Sequence, residues 1–80
     1  MRLPRDISGD DLAKRLSHLG YVITRQSGSH MRLTTSAPRE HHVTIPRHPA
    51  LRVGTFAAIL DEVASHLEIT RDDVLARLFS

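Results

Sequence analysis

The run Arg25-Gln26-Ser27-Gly28-Ser29-His30 holds residue types that phosphodiester chemistry needs. An imidazole such as that of His30, with an unperturbed pKa of about 6.5, can take the proton from a ribose 2′-hydroxyl or return one to a leaving 5′-oxygen. Guanidinium groups such as those of Arg25 and Arg32 stabilise charge that builds on phosphorus. Backbone N–H groups around Ser27, Gly28 and Ser29 add donors, because glycine lets a phosphate approach closely. By residue type alone the commoner reading of such a histidine is an ordinary surface position. The elements around it have to decide.

Other chemistries find less support. His41, His42 and His48 suggest zinc, but adjacent strand residues point to opposite faces, so His41 and His42 cannot easily share one ion. No metal site is expected, and no cofactor. The paired carboxylates Asp10-Asp11, Asp61-Glu62 and Asp72-Asp73 fall in early turns or on polar faces of expected helices, where capping and the helix dipole account for them. No spacing supports a Ser/His/Asp hydrolase. The absence of cysteine removes disulfides, thiolate zinc sites and a thiol nucleophile.

At 80 residues the chain has room for one domain, residues 1–80, and one modest core, so a large small-molecule cavity is not expected and any chemistry belongs on the surface. The net charge of +2 hides an asymmetry: Arg25, Arg32, Arg39, Arg47 and Arg52 face only Glu40 between positions 21 and 52, and the acids gather in the C-terminal third. Lys14 is the only lysine. Arginine's planar fork suits phosphate, so the middle of the chain points to an anionic partner, nucleic acid first. The opening residues hold no apolar run long enough for a signal peptide or a membrane helix. A cytoplasmic protein is expected, with no membrane partner.

The elements that would position these groups can be read from periodicity. Ser8 and Asp11 form a capping-box-like start, and Leu12, Leu16 and Leu19 recur at helical spacing up to Gly20. The period then changes. Tyr21 to Gln26 and Ser29 to Thr35 read as strands joined at Ser27-Gly28, and His41 to Pro46 as a third. Thr55 can cap a helix whose stripe is Phe56, Ile59, Leu60, Val63 and Leu67, and Thr70 with Asp73 forms a box before Val74, Leu75 and Leu78. His18 and His66 fall on helices and are expected at the solvent. The order predicts an α+β sandwich of two layers: a three-stranded antiparallel sheet with helices on one face and the other face open. Alternation puts His30, Arg32 and Thr34 opposite Met31 and Leu33, and His42 and Thr44 opposite Val43 and Ile45. His30, Arg32 and His42 are therefore expected on the open face.

Three segments in order, "GYVITRQSGSHMRL", "HHVTIPRH" and "LRVGTFAAIL", give the chain a resemblance to the HicA-type (YcfA-like) mRNA interferase toxins, over residues 8 to 80. The resemblance implies a fold similar to the double-stranded RNA-binding domain. It implies a ribosome-independent endoribonuclease whose catalytic histidine follows Gly-Ser, here His30. Gly28 and Ser29 would shape the turn, and Pro46 and His48 would hold the loop after the third strand. The implied partner is a HicB-like antitoxin that masks the toxin and joins it in repressing their operon.

The expected function is thus that of a toxin cleaving mRNA without metal, with His30 as general base or acid and Arg25, Gln26, Ser27, Gly28, Ser29, Arg32, Arg47 and His48 contacting RNA. Two other readings stay open: a double-stranded RNA-binding module that cuts nothing, and a protein-interaction domain that pairs through its open sheet.

Overall fold

The computed structural model describes residues 3–79. Ser8 caps the first helix, α1 (Gly9–Leu16), by accepting the Asp11 N–H on its side-chain oxygen at 3.0 Å. Asp10 and Asp11 in its first turn, with Lys14 and Arg15 in its last, complement the helix dipole. The expected helix continues beyond Leu16 as a 3-10 turn (Ser17–Leu19) and stops where Gly20 takes a left-handed φ of 91°.

Three strands follow: β1 (Val22–Ser27), β2 (His30–Thr35) and β3 (His41–Pro46), antiparallel and in the spatial order β1-β2-β3. The last two elements are α2 (Val53–Leu67) and α3 (Arg71–Phe79). α2 begins at Val53, two residues before the Thr55 expected to cap it, and its N-cap Arg52 makes no side-chain capping bond. The second capping box is reciprocal: the Asp73 N–H donates to Thr70 Oγ1 at 3.0 Å and the Thr70 N–H to Asp73 Oδ2 at 3.2 Å. Hydrogen bonds that Thr70 gives the Asp73 carboxyl, the backbone bond first, hold it below its ordinary range.

The strand alternation sorts the sheet into two faces. Met31, Leu33 and Thr35 of β2 and Val43 and Ile45 of β3 are buried against the helices. The four apolar ones belong to one cluster with Leu12, Leu16, Tyr21, Phe56, Ile59, Leu60, Val63, Val74 and Leu75. α1 and α2 lie on the sheet, and α3 closes against both helices. The expected α+β architecture, with helices on one face and an open outer face, is the one observed. Among the described residues no helix is long and apolar enough to cross a membrane.

Candidate functional site

The hairpin between β1 and β2 is closed by the pair Ser27 and His30, so its loop is Gly28-Ser29 alone. Gly28 takes a φ of 57° and Ser29 does not share the positive sign, the pattern of a turn that asks for glycine at its first loop position. This tight turn fixes the register, and the register fixes the outer face. His30 lies across from Ser27 on one side and Pro46 on the other. The next outward row is Arg25, Arg32 and Thr44, followed by one that holds Thr34 and His42. Residues paired across an antiparallel ladder share a face, so Arg25 and Ser27 join His30 and Arg32 on the outer side. All four are exposed.

Arg25 and Arg32 are direct cross-strand partners. Neither makes an ion pair among the described residues. Two like charges set opposite one another destabilise a sheet. The arrangement leaves two guanidinium forks, one row from His30, free for an anion.

The loop after β3 is tied to the hairpin tip. The Arg47 N–H donates to the Ser29 carbonyl at 2.6 Å, and the Gly9 N–H donates to the His48 carbonyl at 3.0 Å. A Cβ on Gly9 would collide with the Pro46 carbonyl, so glycine is what lets α1 start this close to the end of β3. The Arg47 side chain is engaged: Nε and Nη2 donate to the two Asp10 oxygens at 2.9 and 3.1 Å. That bond holds the Asp10 carboxyl below its usual range and raises the Arg47 guanidinium. His48 stands exposed in the same loop.

Gln26 falls on the other side of the sheet. It pairs with Met31 and lines a groove of about 500 Å³ between α1 and β1, together with Ala13, Tyr21 and Ile23. The structure therefore separates Gln26 from the His30 face.

A β-bulge supplies a further outward group. The register shifts between Ile23 and Arg25, leaving Thr24 as the extra residue of β1. Without the shift Thr24 would oppose Leu33; with it, Ile23 does. The Thr24 hydroxyl instead meets Thr34 Oγ1 at 2.8 Å, Thr34 Oγ1 meets His42 Nδ1 at 2.7 Å, and His42 Nε2 meets Glu40 Oε2 at 2.8 Å.

His41 faces the other way, as alternation requires. Its Nδ1 bonds the Tyr21 hydroxyl at 2.8 Å, and its ring stacks on His66 with centroids 4.4 Å apart. Burial lowers the His41 pKa, and the neighbouring His66 lowers it further. Burial also pushes Tyr21 up to about 12, with Glu62 adding to the shift. The expectation that His66 faces solvent is corrected: it is only 8 % exposed, and its Nε2 is buried with no hydrogen-bond partner among the described residues. The signal was present, since His66 stands three residues after Val63 and seven after Ile59 on the apolar stripe. Among the described residues no group of three or more His, Cys, Asp or Glu side chains is placed to hold a metal ion.

Comparison with known proteins finds one family. A family model described as HicA toxin of bacterial toxin-antitoxin matches residues 9–64, which include α1, the whole sheet and most of α2. No curated protein and no solved structure matches the chain.

Proposed function

This chain belongs to the HicA toxin family of bacterial toxin–antitoxin systems, and from that premise we propose that it is an endoribonuclease that cuts mRNA at the His30 face without a metal ion. The observation that carries the proposal is the Arg25 and Arg32 couple, without an ion pair among the described residues and one row from His30 on the open side of the sheet. A like-charged pair is a poor device for holding a sheet together and a good one for holding a phosphate.

The chemistry follows from the residues. His30 in its neutral form takes the proton of a ribose 2′-hydroxyl, and the 2′-oxygen attacks the adjacent phosphorus. The bond from phosphorus to the 5′-oxygen breaks, that oxygen takes a proton from solvent, and a 2′,3′-cyclic phosphate remains. The Arg25 and Arg32 guanidinium groups stabilise the charge on the non-bridging oxygens. Ser27, Gly28 and Ser29 shape the turn that presents His30, and His48 contacts the strand from the loop that Arg47 and Gly9 anchor. Arg47, held by Asp10, contributes mainly by fixing that loop. The partner is a HicB-like antitoxin that covers this face, and the site of action is the cytoplasm, where mRNA is found.

The test is the chemistry of the products. Single-stranded RNA incubated with the purified protein should yield 5′-hydroxyl and 2′,3′-cyclic phosphate ends, and DNA of the same sequence should stay intact. Products with 5′-phosphate ends would point to activated water as nucleophile. Tight, salt-sensitive binding of duplex RNA without any cut would make the domain a binding module instead.

A further inference from the structure

In the chain of hydrogen bonds from Glu40 to Thr24, the His42–Glu40 bond keeps its direction whatever the protonation of His42, and the threonine hydroxyls turn to match. An ionised carboxylate only accepts, so His42 Nε2 must carry the proton that Glu40 receives. With the ring neutral, Nδ1 accepts from the Thr34 hydroxyl, and Thr24 donates to Thr34 Oγ1 or to the Arg32 carbonyl, 3.3 Å away. With the ring protonated, Nδ1 donates to Thr34, Thr34 donates to Thr24, and Thr24 donates to the Arg32 carbonyl. In both states every hydroxyl proton is used inside the chain. What the row offers outward is lone pairs, next to a carboxylate whose side chain is 74 % exposed. Such a surface repels phosphate and takes a neutral hydrogen-bond donor.

Its place along the sheet says which donor. Thr34 lies four residues from His30 on β2, about 13 Å along the strand, with the Arg25 and Arg32 row midway at about 6.6 Å. That step is close to the separation of neighbouring phosphates along an RNA strand. Resting on the RNA reading of this face, we propose that Thr24, Thr34, His42 and Glu40 form a subsite for the ribose 2′-hydroxyl of the nucleotide two steps from the cut. His30 meets the 2′-hydroxyl at the cut, the long side chains of the arginine pair reach the phosphate there, and the hydroxyl row, two nucleotide steps along the strand, then checks that the strand is RNA. The shared chemistry is an uncharged donor, which a base amino group also supplies.

The experiment measures affinity, so it does not depend on cleavage. A His30→Ala protein is titrated with a set of pentaribonucleotides in which each sugar in turn is 2′-deoxy, and with a set in which each cytidine in turn becomes uridine. One deoxy position should weaken binding by about 5- to 10-fold, the worth of one neutral hydrogen bond. Adding Thr34→Val, which keeps the strand side chain branched and removes the hydroxyl, should abolish that selectivity. Glu40→Gln, which removes the exposed carboxylate charge beside the row, should reduce it. If only a cytidine change weakens binding, the ribose assignment is overturned in favour of a base amine. Uniform affinity across both sets, selectivity that survives Thr34→Val, or no binding at all overturns the subsite. A wild-type protein that binds with this selectivity and cuts nothing sinks the nuclease reading and leaves the subsite standing.

Discussion

The rings of His41 on β3 and His66 on α2 lie face to face, with planes 10° apart, while the Tyr21 hydroxyl holds His41 from the side. Two imidazolium ions cannot share that contact at low cost, and burial already lowers the His41 pKa. Glu62 favours the charged form of His41, while His42 and His66 oppose it.

The first prediction is a stability that falls with acid. The folded pKa of His41 lies below the unfolded value of about 6.5, so the unfolded chain binds this proton more readily. The contribution is fully present above that value and is lost as pH falls through the folded pKa. Denaturant melts between pH 8 and pH 5 should show the midpoint dropping below about pH 6.5, and a His41→Phe variant should show a shallower drop. The depressed Asp10, Asp61 and Asp73 act elsewhere, because their contribution is lost only as pH falls below their ordinary value of 3.8. A midpoint flat from pH 8 to pH 5 would contradict the stacked pair as a source of acid sensitivity.

How much of this was legible in the sequence depends on the distance over which each feature is decided. The outward set His30, Arg32, Thr34 and His42 follows from alternation within one strand, and the tight turn at Gly28 keeps the register honest. The bulge at Thr24 left no local mark: it shows only in the register, where Ile23 pairs with Leu33, a relation between strands. The bond between Arg47 and Asp10 spans 37 positions and is equally invisible to a window on the chain. Gln26 is close to His30 in sequence, but its pairing with Met31 puts it on the helix side of the sheet. The burial of His66 is legible in its spacing on the α2 stripe and not in its residue type.

The second prediction separates two glycines. Alanine at position 28 meets no atom within 4 Å and suffers only from the left-handed φ of 57°, which costs about 1 kcal/mol. Alanine at position 9 meets the Pro46 carbonyl, and the backbone shift that relieves it costs about 1 to 3 kcal/mol. Chemical denaturation should therefore rank Gly9→Ala as the more damaging change. The opposite order would mean that α1 does not rest on the end of β3 as described.

The third prediction ranks the arginines. Arg25→Ala and Arg32→Ala should each weaken RNA binding and reduce the salt slope of the affinity by about 1. Arg47→Ala should reduce that slope less, because Asp10 already occupies its guanidinium. Binding isotherms at several salt concentrations read all three. Equal slopes for the three variants would contradict the assignment of Arg25 and Arg32 as the phosphate grip.

The most direct test of the central claim is incubation of purified, antitoxin-free protein with a long single-stranded RNA in EDTA, beside a His30→Ala variant shown to be folded. The account predicts that the wild type cuts and the variant does not. Cleavage by both proteins alike, or by neither, would contradict His30 as the catalytic group.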